Sequence, residues 1–269
     1  RICGLAVACA YSITGTEDPV FDLLPVVRGY HLINPLSAQE LEILFGLVKL
    51  RIATSIVMAA IQSANNPDNE YLLISQATFQ ELIVTLNSTD PNLALYRIRS
   101  ACGYEANPNS REIRQYLMSG RATIGDVAMP PLRDAKKIWL NWAGDNPEIP
   151  RETDQIFALM NESGADLAIG HYCENRLVYE GDAFSVDSPS RRTVHLGVDL
   201  FAPAGTPVFA ALDGVVEYFN DNNVYLDYGP VIILRHHTDT GIPFFTLYGH
   251  LSRPSLENLF IGKEISAGE

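Results

Sequence analysis

The residues His195, Leu196, Gly197, Val198 and Asp199 are where type and spacing most directly suggest chemistry. On an extended strand, positions 195, 197 and 199 share one face. An imidazole and a carboxylate then project side by side, and Gly197 leaves space between them for a metal ion. Nitrogen and oxygen donors of this kind suit zinc, with typical bonds of ~2.0–2.2 Å. Leu196, Val198 and Leu200 are expected to turn into a core and stiffen the strand. The same spacing also fits a surface ion pair or a helical i,i+4 contact, so by itself it leaves those readings open. The remaining histidines point less clearly to a site. His236 and His237 are adjacent, so a strand sends them to opposite faces and they cannot share one ion. A satisfied polar contact is the expectation for His236, while His31 and His171 have no partner pattern. Tyr248 reads as core packing or a substrate contact. Trp139 and Trp142 read as packing residues between domains.

The elements that must position these groups change character along the chain. Residues 1–120 read as helical from apolar periodicity. Ser37 and Glu40 have capping-box spacing ahead of a long helix to about Ala64, with Leu41, Leu44, Val48, Ile52, Ile56 and Ala59 on one side. Thr78 and Glu81 repeat that spacing ahead of a helix to Leu86. Asp90-Pro91 opens another helix ending near Cys102-Gly103, and Ser110–Leu117 is a short one. Residues 121–164, with Pro130, Pro131, Pro147 and Pro150, read as a packed linker that includes a short helix over Glu152–Met160. From residue 165 the signals are those of strands: Leu177–Tyr179, Val194–Phe201, Pro207–Ala211, Gly214–Phe219, Val231–Leu234 and Phe244–Tyr248. Closely spaced strands without helices between them predict an antiparallel sheet. The expected fold class is therefore α + β and multidomain, with a helical part ahead of an antiparallel β domain over 165–269.

Composition narrows the partners. The chain has 32 acidic and 19 basic residues, a net charge of −13, which argues against nucleic acid. By segment the net charge is −3 over 1–120, −4 over 121–194 and −6 over 195–269. Cys3, Cys9, Cys102 and Cys173 show no CxxC and no disulfide-framework spacing. No uninterrupted apolar run approaches the ~18 residues of a membrane span. The opening run Ile2–Ser12 reads as a buried helix; Ala8-Cys9-Ala10 is nominally a cleavage site, but Arg1 alone is a poor basic region for a signal peptide. Both ends read as cuts within something longer. Oligomeric state is not readable from the sequence.

The run His195–Glu217 (HLGVDLFAPAGTPVFAALDGVVE) closely resembles the lysostaphin/LytM-type zinc metallopeptidases. Asp227-Tyr228-Gly229, Thr246–Ser252 (TLYGHLS) and Gly262–Glu269 (GKEISAGE) match later blocks of that family in order. The resemblance covers about 190–269. It implies that His195 and Asp199 are zinc ligands, that His250 is a catalytic histidine, and that the reaction is peptide-bond hydrolysis by metal-activated water. The family's H-x-H motif, with its third ligand and a second catalytic histidine, is then expected beyond Glu269; no H-x-H occurs in this chain.

The helical part has a looser resemblance to the C-terminal lobe of aminoglycoside/choline-kinase-type phosphotransferases. It is carried by Leu5–Tyr11, Arg28-Gly29-Tyr30, the Pro35–Leu41 helix start and Arg51-Ile52-Ala53. No H-x-D-x-x-x-x-N is present, so no phosphoryl-transfer residue is named. Together the two parts resemble large bacterial fusions of a kinase-like domain, a lysostaphin-type domain and a class III aminotransferase. That likeness implies ATP with Mg²⁺ and pyridoxal phosphate in other parts of such a protein. It opens an alternative to peptide hydrolysis: kinase–aminotransferase chemistry on small amino compounds, with the β domain a non-hydrolytic binding or structural module. A kinase lobe needs ATP and so implies a cytoplasmic protein; export is the alternative that opens if that lobe reading fails.

Overall fold

The computed structural model describes residues 1–66, 76–144, 148–176, 193–224 and 227–269. The chain divides into two compact units, Arg1–Glu112 and Ile113–Glu269. The expected strand Leu177–Tyr179 lies outside the described residues.

The first unit is helical: α1 (Ile2–Ser12), α2 (Pro19–Asp22), α3 (Leu24–Ile33), α4 (Ala38–Asn65), α5 (Gln76–Ser88) and α6 (Pro91–Ala101), with α7 (Ser110–Met118) spanning the boundary. Local chemistry sets several helix starts. Ser37 Oγ accepts from the Glu40 amide at 3.3 Å, and Glu40 Oε2 accepts from the Ser37 amide at 2.9 Å. This is the reciprocal capping box expected from the sequence. Asp90 caps α6 by accepting from the amides of Asn92 and Leu93, ahead of Pro91 in the first turn. Thr78 caps nothing, because α5 already begins at Gln76 and holds Thr78 in its interior. Leu41, Leu44, Val48 and Ile52 of α4 join Leu5, Cys9, Val27, Leu86 and Ile98 in one continuous core. By length and composition α4 is long and apolar enough to cross a membrane, a test that core helices also pass. Lys49 and Arg51 break the uninterrupted apolar run without making the 28-residue helix polar overall.

The second unit contains β1 (Lys137–Leu140), α8 (Thr153–Ser163), β2 (Leu167–Gly170), β3 (Glu174–Asn175), β4 (Val194–His195), β5 (Leu200–Phe201), β6 (Gly214–Asn222), β7 (Gly229–His237), β8 (Pro243–Tyr248) and β9 (Glu264–Ile265). Segment 121–164, expected as a packed linker, thus carries β1 and α8. β1 and β2 pair in parallel, Lys137 to Leu167 through Leu140 to Gly170. This parallel pair was not expected, since β1 lies in the segment read as a linker. A helix between two strands supplies the crossover that a parallel pair requires, and α8 ends on Gly164 at φ +57°, a left-handed cap that a glycine adopts without a Cβ penalty. Leu140, Trp142, Ile156, Met160 and Ala168 form the core beneath this pair.

Among the described residues the other strand pairings are antiparallel, with one isolated parallel bridge between Gly144 and Arg176. β5 adds to β2, β3 pairs with β4, and a four-stranded sheet runs β8-β7-β6-β9. The fold is thus mixed helical and β with antiparallel sheets. The Val194–Phe201 run is not one strand. It breaks between β4 and β5, and Leu196 and Val198 stand 69% and 53% exposed instead of facing a core. Pro207–Ala211 forms no strand either; Val208 makes an isolated bridge to Ala128.

Candidate functional site

Two separate strand pairs hold the two ends of the 195–199 run. Register on β3 sets Glu174 opposite His195, and the Arg176 amide donates to the Thr193 carbonyl at 2.6 Å. At the other end the Gly170 amide donates to the Asp199 carbonyl at 3.0 Å, extending the β2–β5 pairing. The intervening non-strand residues bring the side chains together by a route other than a shared strand face. His195 Nδ1 lies 3.6 Å from Asp199 Oδ2. A Cβ added at Gly197 would stand 3.1 Å from His195 Cε1 and Nε2, so glycine leaves the space that the imidazole uses.

Electrostatics at this pair favour a neutral imidazole. Burial pushes the His195 pKa below its ordinary value; the Asp199 charge opposes this, and the Arg176 guanidinium adds to it. His195 Nδ1 is buried and, among the described residues, has no hydrogen-bond partner. Leaving a buried polar atom unsatisfied costs on the order of 1–3 kcal/mol. Two donors bonded to a tetrahedral ion at ~2.0–2.1 Å stand about 3.4 Å apart, close to the separation seen here. The donor set, the spacing and the orphaned nitrogen all fit a zinc-type cation.

Asp199 is held from a second direction. Arg176 Nη2 donates to Asp199 Oδ2 at 2.6 Å, and Arg176 Nε donates to Glu174 Oε2 at 2.7 Å. Glu174 Oε1 accepts from the Trp142 amide at 2.6 Å, and the guanidinium lies 4.7 Å from the centre of the Trp142 ring. Glu174 and Arg176 are 4% and 7% exposed. A Cβ at Gly170 would come within 2.8 Å of Asp199 Oδ2 and 3.1 Å of Arg176 Nη2. Sequence reasoning missed Glu174, Arg176 and Gly170. The signal available was an acid and a base two positions apart in a strand-like segment.

His250 follows β8 in the four-stranded sheet. It adopts φ +58°, donates its amide to the Tyr228 carbonyl at 2.7 Å, and is exposed, with its ring centre 6.0 Å from that of Tyr228. The structure brings His195 and Asp199 together. Among the described residues no group of three His, Cys, Asp or Glu side chains forms a metal-holding set. His236 is buried, its ring nitrogens contacting the Asp213 carbonyl and Thr246 Oγ1 at 2.8 Å each, while His237 is exposed. Tyr248 is tied inward, its hydroxyl accepting from the Ala211 amide. His171 stacks on the exposed Trp139, whereas Trp142 is buried. His31 Nδ1 accepts from the Leu36 amide.

Residues 193–269 match the family model of Peptidase family M23. The matched stretch, which contains His195, Asp199 and His250, is similar to a metallopeptidase domain of the lysostaphin/LytM type. Glu174 and Arg176 precede the matched span. No curated protein and no solved structure matches the chain.

Proposed function

We propose that residues 193–269, supported by the strands that precede them, form a zinc-dependent peptide-bond hydrolase domain. The carrying observation is the His195–Asp199 pair, with an orphaned ring nitrogen 3.6 Å from a carboxylate oxygen, inside a stretch that matches a peptidase family. His195 and Asp199 would hold the ion. The chemistry that such an ion supplies is polarisation of a peptide carbonyl and acidification of water toward a pKa of ~7. His195 serves as a neutral nitrogen donor, which its burial favours. Asp199 supplies the anionic oxygen and balances part of the ion's charge. His250, exposed at the end of β8, is assigned proton transfer at the attacking water or the departing amine.

The test is isothermal titration of zinc into the chain, followed by peptide cleavage assays. The chain is expected to bind zinc weakly, because two protein ligands fall short of the three that a catalytic site normally supplies. His195→Ala and Asp199→Ala should each remove that binding. Zinc affinity unchanged in both variants would overturn the ligand assignment.

A second reading takes residues 1–120 as part of a phosphotransferase-type lobe and the β domain as a non-hydrolytic module. The all-helical first unit with its own continuous core is what favours it. Zinc binding by the β domain without peptide cleavage would support it, and cleavage that Asp199→Ala abolishes would count against it.

A further inference from the structure

We propose that Arg176, anchored by Glu174, is a positioning residue that fixes the Asp199 carboxylate for the metal. The inference deepens the zinc reading above and rests on it. Its basis lies outside the matched span, in β3 and the residue that follows it.

Arg176 is a poor candidate for a mere surface ion pair. It is buried, lies over the Trp142 ring, and spans two carboxylates with different nitrogens, Nε to Glu174 and Nη2 to Asp199. A guanidinium is a planar fork, so fixing one edge on Glu174 fixes where the other points. Glu174 is itself fixed, because its second oxygen accepts from the Trp142 backbone amide. The chain of contacts therefore runs from the core beneath β1 and β2, through Glu174 and Arg176, to one oxygen of Asp199. That oxygen is the one 3.6 Å from His195 Nδ1. A carboxylate oxygen has two lone pairs. One directed at Arg176 leaves the other free for an ion shared with His195.

Charge also suits this role. Glu174, Arg176 and Asp199 together carry one formal negative charge, so the cluster remains attractive to a dication even with a resident guanidinium. Gly170 completes the arrangement, since any side chain there would push into both Asp199 Oδ2 and Arg176 Nη2. Groups that orient metal-bound carboxylates typically contribute 10–100-fold to affinity.

The experiment titrates Co²⁺ and Zn²⁺ into the full chain and records the Co²⁺ d–d absorption bands, with circular dichroism as the check on folding. Arg176→Met leaves Glu174 as an uncompensated buried charge. The double variant Glu174→Gln/Arg176→Met, which removes both charges, is therefore measured beside it. Gly170→Ala displaces the contact while keeping every charge. The expected result is a 10–100-fold loss of affinity in folded variants and a shifted Co²⁺ spectrum, as ligand geometry loosens. Equal or tighter binding with an unchanged spectrum would overturn the positioning role while leaving the zinc reading intact, and tighter binding would identify Arg176 as a competing cation. If the unsubstituted chain binds neither metal, or His195→Ala binds both as well as it does, the zinc reading fails and this inference fails with it.

Discussion

His195 is held in a way that disfavours its own protonation and leaves one nitrogen unsatisfied. A half-buried ring that keeps an unpartnered Nδ1 3.6 Å from a carboxylate suits a cation between the two groups. The fit depends on Gly197. A methyl group there would stand 3.1 Å from two ring atoms, tighter than ordinary contact, and the imidazole would have to swing away. Gly197→Ala should therefore lower Zn²⁺ affinity about tenfold, the scale of effects that misorient a ligand. The thermal midpoint should change little, because neither Leu196 nor Val198 is buried. Titration calorimetry and a melting curve on the same sample check both halves; an unaltered affinity would mean that the ring is not braced against residue 197. The pairing of His195 with Asp199 was readable from sequence, but not by the route expected. The two donors meet through a break between β4 and β5, each end tied to a different strand, and no period-2 pattern encodes such a break.

At the scale of elements, α4 shows where sequence signals are strong. Its N-terminus combines a side-chain acceptor on Ser37 with a returning carboxylate on Glu40, and its buried side carries Leu41, Leu44, Val48 and Ile52 at helical spacing. Ser37→Ala should cost the first unit about 1 kcal/mol, and Leu44→Ala about 2–5 kcal/mol, since Leu44 has no exposed surface and its loss leaves a cavity. Chemical denaturation measures both. Glu40 adds a pH signature. Its hydrogen bond to Arg1, helped by the Ser37 amide, holds its pKa down to about 2. A carboxyl group with a depressed folded-state pKa contributes stability above its unfolded value, and loses it as pH falls through the folded one. The melting temperature should therefore decline from about pH 4.5 toward 2, and Glu40→Gln should flatten that part of the profile. A slope unaffected by Glu40→Gln would assign the acid sensitivity to other carboxylates. The caps of α4 and α6 were readable because they depend on neighbours in sequence. The start of α5 was not, because Thr78–Glu81 spacing also occurs inside a helix. The parallel β1–β2 pair escaped because its partners are joined through α8 and their pairing is a tertiary event.

Over the whole molecule, charge is distributed unevenly between the units. Residues 113–269 contain 12 basic and 21 acidic residues, a net −9, against −4 for residues 1–112. The second unit, which carries His195 and Asp199, thus presents a negative field that raises the local concentration of cations. This contribution is long-ranged and separable from the short-ranged contacts at the site by its sensitivity to salt. The screening length shrinks from ~30 Å at 0.01 M to ~8 Å at 0.15 M ionic strength. Charges more than about 8 Å from the site are felt there under the first condition and largely screened under the second. Co²⁺ affinity should therefore fall several-fold across that range, in a chloride-free buffer so that the metal is not complexed. Gly170→Ala, which disturbs only the local geometry, should keep the same salt dependence while binding more weakly throughout. Charge reversal at an exposed acid away from the site, such as Asp239→Lys, should reduce affinity at low salt and matter little at high salt. An affinity independent of ionic strength in the unsubstituted chain would mean that the ion responds to its immediate donors alone, and that the acidity of the second unit serves something other than cation capture.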